Sequence, residues 1–152
     1  MAASILLLED EDATRFLIKT TLEGVGFEVS QCLTLAAAKA AFTARRPDLC
    51  LLDLGLPDGD SLELVRAWTA HEGPPILVLT ARQDIMTRLD VFKAGAHDYI
   101  QKPFSIEELL ARVQVHLQLK QTKDDLELKS RELQALKREV ARLRRPKKPQ
   151  TR

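Results

Sequence analysis

The sequence predicts a doubly wound α/β fold built on a five-stranded parallel sheet, with the last helix running on as an extension. Three observations carry this expectation. Five short apolar runs alternate with stretches whose apolar residues recur at helical spacing. Three of the runs, ILLL, LCLL and ILVL, are continuously apolar, as parallel strands covered on both faces must be. From Ser105 to about Leu143 neither proline nor glycine occurs, so nothing in the chain stops a helix there.

Taken in order, the first strand is Ser4–Leu8, and Asp12 can cap a helix through Leu22 that Gly24 and Gly26 terminate. Phe27–Gln31, FEVSQ, alternates in polarity like a strand nearer the sheet edge. Thr34 precedes an alanine-rich helix that must end before Pro47. Leu49–Asp53 is the third strand, and a third helix starts near Ser61. Pro75–Thr80 is the fourth strand, followed by a helix from Asp84 that Gly95 closes. Asp98–Gln101 is the fifth strand. Ser105, with Glu108 three residues on, forms a capping box for the last helix. At about 1.5 Å per residue that helix is nearly 60 Å long, too long to lie wholly on a domain of this size, so its second half is expected to project.

Length and charge bound the rest. With 152 residues, 45% of them hydrophobic, the chain can bury one core and carry one extension. Residues 1–104 hold 10 basic and 15 acidic side chains and residues 105–152 hold 13 and 7, a split of −5 and +6 between halves with different roles. The expected organisation is a globular domain over 1–118, a coiled-coil extension over 119–145 and a basic flexible tail over 146–152. The apolar run after Met1 ends in four acids, which suits neither a secretory signal nor a membrane span, and a cytoplasmic protein is expected. Cys32 and Cys50 have no paired spacing and read as reduced, buried residues; His71, His97 and His116 are scattered and suggest no zinc site.

Ligands of open parallel sheets bind at the carboxyl ends of the strands, so the residues just after each run hold the chemistry. The first strand is followed by Glu9, Asp10, Glu11 and Asp12, the third ends on Asp53, the fourth on Thr80-Ala81, and the fifth is followed by Lys102-Pro103. Each taken singly is ordinary, because acids offset a helix dipole and lysine or threonine at a strand end is common. Their conjunction on one edge is not, since right-handed crossovers force these ends to one side. Clustered carboxylates ask for a cation, and an oxygen-only set suits Mg²⁺. With Asp53 as a nucleophile toward phosphorus, Lys102 and the Thr80 hydroxyl can meet phosphoryl oxygens, and Gly55 lets the backbone carbonyl approach a metal.

Through ILLLEDED, PDLCLLDLGLPDGD, ILVLTA and GAHDYIQKPF, in this order, residues 4 to about 118 resemble the receiver domain of bacterial two-component response regulators. The resemblance implies a flavodoxin-like fold of five βα units and an aspartyl-phosphate switch. By it, Asp53 is the phosphoacceptor. Asp10, Asp53 and the Gly55 carbonyl hold Mg²⁺, Glu9 completes the acidic pocket through water, and Thr80 and Lys102 complete the phosphate site. A sensor histidine kinase or histidine phosphotransfer protein is the implied donor, and the receiver is no enzyme beyond its own phosphotransfer and slow autodephosphorylation. Thr80 and Tyr99 are the implied switch pair, and the Lys102–Pro103 bond is one the family often holds cis. Two positions depart from the pattern: Ser61 stands where many members have glycine, and His97 where winged-helix regulators often have an acid. In those regulators the fourth helix, fifth strand and fifth helix pair receivers, and Arg88–Glu108 and Asp98–Arg112 could pair across such a face. A rival class, the metal-dependent hydrolases of the haloacid-dehalogenase type, is disfavoured because its nucleophilic aspartate follows the first strand and a cap domain follows.

With position a at Leu119, the last helix gives a seam of Leu119, Thr122, Leu126, Lys129, Leu133, Leu136, Val140 and Leu143, apolar at six of eight sites. Glu132 to Lys137 and Glu139 to Arg144 are opposite charges in a parallel in-register pair, so a homodimer is expected. A solitary helix solvated by its charges is the alternative. The basic end, Arg138 to Lys148, lacks aromatic interleaving, which argues against sequence-specific DNA binding. The downstream effector protein is not specified. The expected function is therefore a receiver that switches protein interaction or dimer geometry. The alternative is the receiver portion of a longer regulator whose coiled coil leads to a diguanylate cyclase, phosphatase or kinase output.

Overall fold

The computed structural model of the chain describes residues 2–146, so all of the expected tail at 146–152 except Pro146 lies outside the described residues. The elements run β1 (Ser4–Leu8), α1 (Asp12–Gly24), β2 (Glu28–Cys32), α2 (Leu35–Ala44), β3 (Leu49–Asp53), α3 (Leu62–Thr69), β4 (Ile76–Thr80), α4 (Ile85–Lys93), β5 (Asp98–Gln101) and α5 (Ile106–Leu143). All strand pairs are parallel and the order is β2-β1-β3-β4-β5, with the alternating strand β2 at the edge as its polarity requires.

The chain divides into two compact units after Gln118. In the first, side-chain alternation along the strands builds two cores. Ile5, Leu7, Leu51, Leu79 and Ile100 pack with Ile18 and Leu22 of α1 and Leu109 and Val113 of α5. Leu6, Leu8, Leu52 and Val78 pack with Ala38 of α2, Val65 of α3 and Val91 of α4. The sheet is thereby covered on both faces, which accounts for the unbroken apolar runs of β1, β3 and β4.

Local differences from the sequence reading have local causes. Asp12 does not cap α1 but lies within it, because Arg15 takes its carboxylate at 2.5 Å; Glu11 is the residue before the helix and makes no side-chain cap. Only half of the capping box forms at α5: the Ser105 Oγ accepts from the Glu108 N–H at 3.1 Å, whereas the Glu108 carboxylate lies 3.6 Å from Arg112. β2 begins one residue later than read, with Phe27 half-buried against the core ahead of it. Pro75 stands outside β4, its carbonyl accepting from the Cys50 N–H at 2.9 Å. Thr34 and Asp84 cap α2 and α4 as read. At Gly95, which closes α4 with φ +110°, a Cβ would stand 2.3 Å from the Thr69 hydroxyl, so no larger residue fits.

The second unit continues α5 without a break to Leu143. Leu119, Leu126, Leu133, Leu136, Val140 and Leu143 are all exposed. Between them run pairs at helical spacing, Lys120–Asp124 at 3.7 Å, Lys123–Glu127 at 3.9 Å and Glu139–Arg142 at 2.6 Å.

Candidate functional site

At the carboxyl edge the strands deliver their polar ends together. Glu9, directly after β1, is fully buried, and its N–H donates to the Cys32 carbonyl at the end of β2 at 3.1 Å. Asp53 is the last residue of β3 and is 8% exposed; Asp10 is exposed. One carboxylate oxygen from each of Glu9, Asp10 and Asp53 can be chosen so that all three lie within 4.8 Å of one another. Lys102 reaches the group from beyond β5, its Nζ 2.7 Å from Glu9 and 3.4 Å from Asp53. Its own N–H donates to the Thr80 carbonyl at 2.8 Å, so the β4–β5 ladder sets Lys102 beside Thr80.

The electrostatics of this group are unfavourable to a bare anion. Burial, and then the negative charge of Glu9, push the Asp53 carboxyl up to about 7, and Lys102 only partly offsets them. Burial draws the Lys102 ammonium downward, but its bond to Glu9 and the charge of Asp53 outweigh that and hold it above the ordinary lysine value. An oxygen-only set of three carboxylates with too little positive charge fits a hard divalent cation. Gly55, two residues past Asp53, has φ +63°, a left-handed turn that few other side chains adopt easily.

Thr80, 2% exposed, ends β4, and its Oγ1 accepts from the Arg82 N–H at 3.1 Å. Tyr99 is 8% exposed and turned inward, its hydroxyl donating to the Arg82 carbonyl. Burial raises the phenol above its usual range. The Arg88 guanidinium lies 5.2 Å from the Tyr99 ring centre. Thr80 and Tyr99 thus meet through one residue, Arg82, whose amide serves the first and whose carbonyl serves the second. The Lys102–Pro103 peptide is cis.

Three residues of the site escaped the sequence reading. Arg15 donates to the Glu9 carbonyl at 3.1 Å and the Asp10 carbonyl at 3.4 Å; its spacing from Asp12, one helical turn, was the available signal. Asp58 accepts from the Leu35 and Ala36 N–H groups at 3.0 and 3.3 Å, fastening the β3–α3 loop to the start of α2. Ser61, noted only as a departure from glycine, donates its hydroxyl to the Asp53 carbonyl. On the face of α4, β5 and α5, Asp98 holds Arg112 at 2.6 Å and His116 at 2.9 Å within one chain, beside a cleft that Arg88, Phe92 and Tyr99 also line. His97 is occupied at the other end of the sheet, where its Nδ1 accepts from the Ile76 N–H at 3.1 Å.

Comparison with known proteins agrees with this geometry. Residues 5–114 match the family model of the response regulator receiver domain. The KDP operon transcriptional regulatory protein KdpE of Escherichia coli is 43% identical over 114 residues, which are 75% of this chain and 51% of that protein. The transcriptional regulatory protein PhoP of Escherichia coli is 40% identical over 111 residues, 72% of this chain and 50% of that protein. The chain therefore spans about half the length of the curated relatives it matches. Among solved structures, a CheY-like receiver domain protein from Methanospirillum hungatei superimposes with a TM-score of 0.77 at 27% identity, covering 81% of this chain and 99% of that one. The beryllofluoride-activated receiver domain of Klebsiella pneumoniae RstA does so with a TM-score of 0.71 at 32% identity, covering 75% and 97%.

Proposed function

The chain belongs to the response regulator receiver domain family, and on that premise we propose that Asp53 accepts a phosphoryl group from a phosphohistidine of a sensor kinase or phosphotransfer protein. The observation that carries this reading is the convergence of Glu9, Asp10, Asp53 and Lys102 at one strand edge. An Asp53 carboxylate oxygen attacks phosphorus, the N–P bond of the donor breaks, and its electron pair returns to the imidazole nitrogen, leaving an acyl phosphate. Lys102 offers a point charge to one phosphoryl oxygen and Thr80 a hydroxyl to another, since the oxygen that accepts from the Arg82 N–H keeps its own proton to donate. Mg²⁺, held by Asp10, Asp53 and the Gly55 carbonyl with Glu9 through water, would neutralise phosphoryl charge. Water later cleaves the acyl phosphate slowly in the same site.

The switch proposed is the Thr80–Arg82–Tyr99 chain of contacts. Phosphate adds about 1.5–2 negative charges and new acceptor oxygens, which favour the arrangement that turns the Thr80 hydroxyl toward them. Incubation with Mg²⁺ and acetyl phosphate should add one phosphoryl mass to the wild type and none to Asp53→Asn. Beryllofluoride should shift the Thr80 and Tyr99 resonances in the wild type alone. No adduct in the wild type would overturn the assignment.

The output proposed is a change in protein interaction or dimer geometry, with 1–118 as the receiver, 119–145 as a parallel coiled coil and an effector protein downstream. The exposed apolar stripe of the second unit supports the pairing, as does the charge placement of Glu132 and Lys137. Glu139 is engaged with Arg142 of its own helix and would have to exchange partners to meet Arg144. Sedimentation at tens of micromolar should report a dimer that Leu133→Asp/Leu136→Asp breaks; monomers in the wild type would end this part of the reading. Among the described residues no helix is long and apolar enough to cross a membrane, in keeping with a cytoplasmic location. A transcriptional output is the second reading, favoured by the names of KdpE and PhoP as transcriptional regulatory proteins. Phosphorylation-dependent retention on one DNA sequence over scrambled DNA at equal salt would select it.

A further inference from the structure

Ser61 occupies the position before α3 where a serine ordinarily turns its oxygen to an N–H two or three residues on. It makes no such bond. The Leu62 N–H is served by Asp60 at 3.0 Å instead, and the Ser61 hydroxyl donates to the main-chain carbonyl of Asp53, eight residues back. Both groups are buried, and Ser61 is fully so. A serine that gives up a local cap for a distant carbonyl does so because that carbonyl, at the end of β3, needs a donor where solvent does not reach.

We propose that Ser61 is a positioning residue for the phosphoacceptor: its hydroxyl clasps the Asp53 carbonyl and closes residues 53–61 into a ring that fixes Gly55 relative to the Asp53 carboxylate. Inside that ring the Leu56 N–H donates to the Gly59 carbonyl at 3.1 Å and the Gly59 N–H returns to Leu56 at 3.2 Å. On its outer side Asp58 ties the loop to α2. Those contacts shape the loop and anchor it to a neighbour. The Ser61 bond alone among these joins the loop's far end to the acceptor residue itself, fixing the peptide plane that follows Asp53. Where glycine stands at this position, as the resemblance has it for many members, no side chain can make the clasp; this chain carries the donor on the residue just before α3.

The inference rests on the reading of Asp53 as acceptor with a cation beside it, and the test separates the two. Mg²⁺ affinity is measured by calorimetry on the full chain, together with hydrogen exchange of the amides at 54–60 and thermal unfolding, in the wild type, Ser61→Ala and Ser61→Gly. Losing one buried hydrogen bond corresponds to about a fivefold change in an equilibrium. Both variants should therefore bind Mg²⁺ about three- to tenfold more weakly and exchange the loop amides faster. Variants that unfold at lower temperature yet bind Mg²⁺ like the wild type would reduce Ser61 to a packing role and overturn the clasp, leaving the Asp53 reading intact. A wild type that neither binds Mg²⁺ nor takes a phosphoryl group from acetyl phosphate would overturn both.

Discussion

At the carboxyl edge of the sheet Asp53 is crowded by Glu9 with a single lysine between them, and its carboxyl is pushed up to about 7. At the amino edge of the same sheet, Asp98 accepts from the Tyr99 N–H at 2.8 Å, from Arg112 at 2.6 Å and lies 2.9 Å from His116, and its carboxyl is held below the ordinary range. Burial works against Asp98 too, but the bonds from Arg112 and His116 outweigh it. Asp48, just before β3, accepts from the Ser4 N–H at 2.8 Å and its hydroxyl at 3.3 Å. One fold thus gathers uncompensated negative charge where strands end and cancels it where they begin. The first arrangement leaves a deficit of positive charge that suits a cation; the second holds the strand starts in register.

The largest test of this contrast is Asp53→Asn in metal-free protein. A carboxyl whose folded pKa is near 7 and whose unfolded pKa is near 3.9 is ionised in the unfolded chain first. The unfolded state then binds fewer protons than the folded one, so stability falls as pH rises from about 4 to about 7. Removing the carboxylate should raise stability by about 1–3 kcal/mol at pH 8 in urea titrations. That gain should vanish near pH 4, where the wild-type carboxyl is protonated in the fold. Saturating Mg²⁺ should narrow the difference at pH 8 by stabilising the wild type. An asparagine variant no more stable than the wild type at pH 8 would break the comparison at its functional end.

Asp98→Asn should act with the opposite sign. Its folded pKa is depressed, so its contribution is present above about pH 4 and is lost as pH falls through the folded value. At pH 7 the variant should lose about 1–2 kcal/mol, mostly through the charge-assisted bond to Arg112. Once pH has fallen through that depressed folded value the two proteins should converge. Should Asp98→Asn and Asp53→Asn shift stability in the same direction at pH 8, the edges would not differ as described.

The carboxyl edge was far more legible in the sequence than the amino edge, and the reason is geometric. Apolar runs mark where parallel strands end, and crossover handedness puts all those ends on one side, so Glu9, Asp53, Thr80 and Lys102 could be gathered without knowing any contact. The amino-edge pairs join residues far apart in the chain, Ser4 with Asp48 and Asp98 with His116, and no periodicity links them. The role of Ser61 went unread for another reason. Its position announces a helix cap, and only the tertiary need of the Asp53 carbonyl turns its hydroxyl elsewhere. The unbroken α5 was readable because helix continuity is a local property, whereas its capping box was half wrong because Arg112 competes for Glu108.

The finest distinction lies within one amino-edge contact. Asp48 holds β1 to the start of β3 through two donors of Ser4, and the main-chain bond is the shorter. Asp48→Ala removes the acceptor for both and leaves the Ser4 N–H to find another partner in a nearly dry place, which should cost about 1–2 kcal/mol. Ser4→Ala removes the hydroxyl, which donates to the carboxylate and accepts from the Asp48 N–H, both at 3.3 Å, but that amide keeps the Ser4 carbonyl at 2.8 Å and the carboxylate keeps its backbone donor, so the loss should be about 0.5 kcal/mol. The inequality matters more than either number, because it follows from which group is left without a partner. If the two variants unfold at the same denaturant concentration, the hydroxyl rather than the backbone amide is what holds Asp48, and the amino edge is tied by side chains instead of by its strand.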